Sequence, residues 1–517
     1  MDTRTVPRAC LAGAALVLGL TACGPQGDGV NGPVAQRMLI LAADPLAEAA
    51  DEYATFRQEG GFEVEVVTMG ELWGRAPLDG LRAEISRRVL EFGQADEGRE
   101  SFVLILGDAD ELQPDSTARV PATVGPRGDV GDTPYADLDA DGLPELAVGR
   151  LPFSTAEEIR AYLERVRLRE AGYLPGTWNR TLAAFAGEGG FGVEVDGMLE
   201  LAAGWIFDEM SYDFDMTMTY ASASSSYHLP PGAWEADYAE RYLAGAVIQP
   251  YIGHTLGAVE CCREAPRRAG LLGFFSCSDG QYQSDGAGSL AEELLARPGG
   301  PVAILAASDV SHPYANAILP RELGHAVLDL HARTYGEAVL VAKRNMVERQ
   351  DDLRLSLDQL AAPYMDEPMP DCIQSHVTMY NLFGDPAAPT HLPPGRVRFD
   401  PPGGEARPGG RLLVTGRVGT EEGRLPMAAG RVRVTLEASR TVVLGVLDPP
   451  GPDTYASNHA KANDKVVVAA EADVGDGVFS ATLEVPADLS VGSYRLKAFA
   501  WNEQVDSVGN LSVQIKD

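Results

Sequence analysis

The chain has 517 residues, 45% of them hydrophobic and 23% charged, which suits an ordinary globular protein of about two or three domains at roughly 150 residues each. A formal charge of -33 argues against nucleic acid as a partner, because binding it takes a basic surface that displaces counterions from phosphates. The acidity favours solubility and cation binding instead.

Residues 1–23 read as a targeting segment that stands outside the fold. Arg4 and Arg8 form a short basic region, Ala9 to Leu20 an apolar one too short to span a bilayer, and Leu20-Thr-Ala-Cys23 closes it. That closure resembles the lipobox of bacterial lipoproteins. The resemblance implies cleavage before Cys23, acylation of Cys23 and a stable anchor through several acyl chains. A plain secretory signal with a chance cysteine is the alternative. Residues 24–36 read as a tether, and no later segment approaches the length of a transmembrane helix. The expectation is an exported, water-exposed body held at a bacterial membrane, the outer membrane or the cell surface.

From Met38 the pattern alternates between strands and helices: strands at Met38 to Ala42, Phe62 to Thr68, Phe102 to Leu106 and Leu146 to Gly149, with helical segments at Pro45 to Gln58 and Leu81 to Phe92. A capping box, Ser154 with Glu157, marks the start of another helix. Such alternation implies right-handed βαβ units and a parallel sheet covered on both faces. A turn around Tyr173 to Trp178 separates this subdomain, 37–175, from a second one, 176–392. The second has strands at Arg180 to Ala186, Val247 to Ile252, Leu271 to Ser276 and Pro301 to Ala306, and helices near Asp196 to Asp208 and Trp234 to Ala244.

Within the first subdomain lies Asp137-Leu-Asp139-Ala-Asp141-Gly142-Leu-Pro-Glu145. Carboxylates at alternate positions with a Gly at the sixth let a tight loop wrap oxygen ligands around a hard cation, and Ca2+ suits an exported protein. Val148 stands where an EF-hand needs its bidentate Glu, so this is not an EF-hand. Asp137, Asp139, Asp141 and Glu145 are the candidate ligands; a solvated acidic turn is the alternative. No organic cofactor is expected.

Residues 393–517 change period from helical to alternating. Seven short runs (Arg396 to Phe399, Arg411 to Gly416, Arg431 to Glu437, Lys465 to Ala472, Val478 to Val485, Ser493 to Trp501, Leu511 to Ile515) read as an antiparallel β-sandwich of immunoglobulin type.

The chemistry concentrates between Val247 and Gly280. Two apolar runs end there in able residues, Val-Ile-Gln-Pro-Tyr-Ile-Gly-His254 and Leu-Leu-Gly-Phe-Phe-Ser-Cys277. Strands of an α/β sheet present side chains at their carboxyl edge, where active sites sit. A thiol beside an imidazole is the minimum equipment for covalent acyl transfer. A Cys closing an apolar run also fits a small buried hydrophobe. Besides Cys277, the vicinal pair Cys261 and Cys262 and the distant Cys372 leave disulfide pairing open.

Several separated pieces together resemble the gingipain-like cysteine peptidases, relatives of the caspases: Phe102-Val-Leu-Ile-Leu-Gly-Asp, Asp132-Thr-Pro-Tyr, Ala147-Val-Gly-Arg150, Gly187-Glu188-Gly-Gly190, Gly253-His254, Phe275-Ser-Cys277, Pro301 to Ser308 and Leu382-Phe-Gly-Asp-Pro386. They follow the family's order over Met38 to Leu392. The resemblance implies a caspase-like α/β fold trailed by a β-sandwich, and hydrolysis of protein or peptide substrates through a thioester. It makes Cys277 the nucleophile, His254 the general base and Glu188 the carboxylate that orients the imidazole. It makes the N–H groups of Cys277 and Thr255 the oxyanion donors. Asp196, near the family's specificity position, is the candidate substrate-binding carboxylate; a helix cap is its alternative. The family usually carries Gly where Thr255 stands, and a β-branched residue crowds an approaching backbone. An inactive surface lipoprotein acting in adhesion or peptide binding is therefore the competing function.

Overall fold

The chain builds a ten-stranded sheet and, after it, a closed seven-stranded barrel. The computed structural model describes residues 36–516 except 75–79, 96–98, 110–116, 126, 191, 257–267, 285–287, 402–405 and 421–426. The targeting segment, Cys23, Cys261 and Cys262 therefore lie outside the described residues. Among those described, no helix is long and apolar enough to cross a membrane.

The strands are β1 (Arg37–Ala42), β2 (Glu63–Thr68), β3 (Ser101–Leu106), a small hairpin β4 (Thr123–Val124) and β5 (Val130–Gly131), β6 (Ala147–Leu151), β7 (Thr181–Ala186), β8 (Asp215–Tyr220), β9 (Ala246–Ile252), β10 (Ala269–Phe275), β11 (Ala303–Ala307) and β12 (Tyr380–Gly384). The main sheet runs β2-β1-β3-β6-β12-β11-β10-β9-β7-β8, so strands from both sides of residue 175 share one surface. Every pairing is parallel except β11 with β12. Strands β1 and β10 are buried along their whole length. That burial explains their unbroken apolar sequences, because helices cover both faces of a parallel sheet.

The sequence pattern misses β4, β5, β8, β12 and seven helices, Met69–Trp73, Leu290–Ala296, Pro313–Gly324, Tyr335–Glu348, Asp352–Ala361, Met369–Met379 and Tyr455–Asn463. Strand β12, Tyr-Asn-Leu-Phe-Gly, is short and lies at the end of the second subdomain, just before the Pro-rich segment. The capping box lies one residue later than expected: the Thr155 hydroxyl accepts from the Glu158 N–H and the Glu158 carboxylate returns to Thr155. Ser and Thr are both competent caps, and only the backbone angles choose between them.

The C-terminal strands are β13 (Gly395–Phe399), β14 (Arg411–Thr420), β15 (Ala429–Glu437), β16 (Val466–Gly475), β17 (Val478–Glu484), β18 (Gly492–Trp501) and β19 (Asp506–Ile515). All seven expected strands are present, and their ladders close into a barrel in the order β13-β14-β17-β16-β15-β18-β19. Alternating residues such as Val432, Val434 and Leu436 fill its interior. A helix, Tyr455–Asn463, interrupts the strands and reaches back to the main sheet, where His459 Nε2 lies 2.9 Å from Thr219 Oγ1.

Candidate functional site

Register decides the site. In the parallel pair β9 and β10, Ile252 lies opposite Phe275, so the two strands end level. His254 and Cys277 each stand two residues beyond those ends, and both line one cavity of about 330 Å³. On the far side of β9, Ala186 of β7 also lies level with Ile252, which brings the Gly187–Gly190 turn to the same edge. On the far side of β10, the chain leaving β11 delivers Ser311.

The imidazole of His254 is exposed, and its Nε2 lies 2.5 Å from the carbonyl of Gly189. A carbonyl only accepts, so Nε2 carries the proton and Nδ1 is the basic nitrogen of the neutral ring. The carbonyl beside the expected orienting carboxylate, Glu188, is thus a partner of the ring. Glu188, one residue earlier in the same turn, is exposed. The main chain of His254 is held from below, where the Tyr251 hydroxyl donates to its carbonyl at 2.9 Å. Gly187 and Gly253 leave room for that phenol; a Cβ on either would sit 2.6 or 2.5 Å from its oxygen.

Cys277 is half-buried and a free thiol. Its Sγ donates to the Ser311 carbonyl at 3.6 Å, with Ser311 Oγ 3.9 Å away. Asn316 Nδ2 donates to Ser311 Oγ at 2.7 Å, and Tyr380 donates to Asn316 Oδ1 at 2.6 Å. No hydrogen bond joins the thiol to the imidazole among the described residues. The following residue, Ser278, takes φ 58°, which turns the chain sharply so that the thiol stands at the strand end.

Thr255 does more than crowd the loop, since its hydroxyl donates to the Cys277 carbonyl at 2.8 Å. The N–H groups of Thr255 and Cys277, the expected oxyanion donors, make no hydrogen bond among the described residues. Asp279 braces both loops by accepting from the Leu256 N–H at 3.2 Å and from the Ser276 hydroxyl. Burial pushes the Asp279 carboxyl up to about 6, against the opposing pull of those two donors.

Asp196 lies on the helix Val193–Glu209 and lines the cavity, its carboxylate against the Gly189 main chain. One turn further along, Glu200 lines the cavity too. Leu199, Ala203, Ile206, Phe207, Ile252 and Phe275 supply the apolar wall. Sequence reasoning missed Glu200, although its spacing of four from Asp196 puts both on one helix face. It also missed Asp279, two residues past the thiol, and Ser311, which only the neighbouring strand brings near.

At the acidic loop, carboxylate oxygens of Asp137, Asp139 and Glu145 lie within 4.8 Å of one another. Asp137 Oδ1 is buried without a hydrogen-bond partner among the described residues, as a carboxylate oxygen able to ligate a cation would be. Glu145 also accepts from Arg344 at 2.8 Å and from the Leu138 N–H at 2.7 Å. Asp141 stands outside the cluster and accepts from the Leu143 N–H at 2.8 Å. Cys372 is a free thiol in the core; burial pushes it up to about 12.

The model of peptidase family C25 matches residues 33–391. The chain belongs to peptidase family C25, the gingipain family. Among curated proteins, this C25 chain is 26% identical over 149 residues to Lys-gingipain of Porphyromonas gingivalis, across 29% of its own length and 8% of the relative's. It thus spans less than a tenth of the curated relatives it matches. Among solved structures, the Arg-specific cysteine proteinase gingipain R is similar over 95% of the C25 chain and 100% of its own, at 16% identity and TM-score 0.50. A structure titled only as a protease is similar over 94% and 98%, at 13% identity and TM-score 0.50. These likenesses establish the fold, sheet and trailing barrel together.

Proposed function

We propose that the chain is an exported cysteine endopeptidase. The observation that carries the reading is the level ending of β9 and β10, which sets an imidazole and a thiol on one cavity. Cys277 gives its proton to His254 Nδ1 and attacks the scissile carbonyl; the N–H groups of Cys277 and Thr255 receive the oxyanion. His254 then protonates the leaving amine, and water hydrolyses the thioester. The Gly189 carbonyl holds the ring in the required tautomer, and Glu188 next to it contributes its charge.

The cavity suits a P1 side chain with an apolar stem and a cationic head, because Asp196 and Glu200 stand against an otherwise apolar wall. Arg or Lys meets that description. The Cys23 anchor would hold the enzyme at the bacterial surface, and Ca2+ on Asp137, Asp139 and Glu145 would stiffen the loop between β5 and β6.

The deciding experiment is turnover of a fluorogenic peptide library by the full chain and by Cys277→Ala. Cleavage after Arg or Lys that disappears in the variant supports the reading. In parallel, iodoacetamide should label Cys277 much faster than Cys372, and faster than Cys277 in a His254→Ala variant. Equal labelling and no turnover would instead assign the fold to peptide binding.

A further inference from the structure

A second cavity of about 710 Å³ lies between the last strand of the sheet and the barrel, and it shares no lining residue with the thiol site. Strand β8 ends the sheet, so one of its sides has no strand partner. Just past β8, the Ala221 N–H bonds inward to Ala186, whereas the N–H groups of Tyr220 and Met218 bond outward to the Tyr227 carbonyl at 3.0 Å and Asn463 Oδ1 at 2.8 Å. Hydrogen-bonding sides alternate along a strand, so the N–H and C=O of Met216 also face outward, and Met216 lines the cavity. Asn463 closes Met218 completely, since its Nδ2 donates back to the Met218 carbonyl at 2.9 Å. At Met216 the edge is open.

Facing this edge are three cations, Arg433, Arg440 and Lys465, that form no ion pair among the described residues. Arg440, 5% exposed, donates only to the carbonyls of Phe207, Met210, Ser211 and Phe214. Lys465, 8% exposed, donates to the Tyr227 hydroxyl and the Val442 carbonyl, and burial pushes its ammonium down to about 8. Arg433 is exposed and forms no ion pair among the described residues. The carboxylates of the same walls are engaged: Asp215 and Glu437 with Lys497, Glu471 with Arg431, and Asp464 with the Val466 N–H. The lining carries five cations, Arg180, Arg433, Arg440, Lys465 and Lys497, against four carboxylates, Asp215, Glu437, Asp464 and Glu471, so in a chain of charge -33 this wall is locally not acidic, and a buried cation with no ion pair is unfavourable until it finds a partner. Phe499 and Trp501, stacked with ring centroids 5.2 Å apart, supply an apolar wall.

We propose that this crevice is an exosite for an extended acidic peptide segment, which adds to the free edge of β8 through the main chain of Met216 and sets its carboxylates against Arg433, Arg440 and Lys465. Main-chain pairing supplies affinity irrespective of sequence, and the cations select acidic side chains. The site stands apart from the catalytic reading and holds whether or not the thiol turns over.

The test uses the full chain alkylated at Cys277, which prevents cleavage and obstructs the thiol cavity. A fluorescein-labelled peptide, Glu-Val-Asp-Val-Glu, is titrated by anisotropy against a version with Lys at the acidic positions and one N-methylated at its central amide. Saturable binding of the acidic peptide is expected, at least tenfold weaker for the Lys and N-methyl versions and for the exposed-site variant Arg433→Glu. The absence of saturable binding, equal affinity for the Lys peptide, or an Arg433→Glu variant that binds as tightly as the parent would each overturn the proposal.

Discussion

The Thr255 hydroxyl donates to the Cys277 carbonyl at 2.8 Å, tying the loop that carries the imidazole to the loop that carries the thiol. A side chain that departs from the family's usual Gly therefore has a positional task here. A hydrogen bond of this kind is worth about 1 kcal/mol, or roughly fivefold in a rate that depends on the geometry it fixes. Thr255→Val keeps the shape and loses the bond, so kcat/KM should fall by about fivefold while Thr255→Ser stays near the parent. A Val variant as active as the parent would show that the bond has no bearing on catalysis.

The imidazole is oriented by a main-chain carbonyl, so its supposed carboxylate partner should be nearly dispensable. Glu188→Gln is expected to change kcat/KM by less than about threefold, against a loss of about 100-fold or more for His254→Ala. Steady-state kinetics of the two variants on one substrate decide the matter; comparable losses would return the orienting role to Glu188.

Asp279 predicts a pH dependence of stability. Its folded carboxyl is raised from the usual 3.8 to about 6, so its contribution is fully present below pH 3.8 and is lost as pH rises through 6. Melting of the parent should therefore decline relative to Asp279→Asn between pH 4 and pH 6.5 and run parallel above that. A parent that gains on the variant over the same interval would contradict the burial argument.

Calcium should stabilise the chain through the loop after β5. At about 100 times its dissociation constant, a ligand confined to the folded state adds about 2.7 kcal/mol. The melting temperature should rise with Ca2+, fall on chelation and become insensitive in Asp137→Asn. A melt indifferent to both additions removes the site.

Much of this protein is written locally. The apolar runs of β1, β3, β9 and β10, the alternating β13 to β19, and the strand-end placement of His254 and Cys277 are all visible because burial on two faces, or on one, imposes its period on the sequence. Some of the tags that carry the family resemblance prove structural in role. Asp132 and Arg150 form a buried bidentate pair at 2.7 Å, and Asp385 pairs with Arg57, whose Nε donates to it at 2.9 Å. The fold needs these pairs to neutralise charge inside it, which explains why such tags can be read without knowing the chemistry.

What only the tertiary structure decided is which neighbours each strand end receives. Sequence spacing carries no information on the order of strands in a sheet, so it could not show that the Gly189 carbonyl meets His254 or that Ser311 meets the thiol. Nor could it show that β8 leaves an edge facing Arg433, Arg440 and Lys465 from a distant barrel. Those contacts join residues tens to hundreds of positions apart, and they exist because parallel pairing sets the register of whole strands at once. The residues supply the chemistry; the register determines which of them meet.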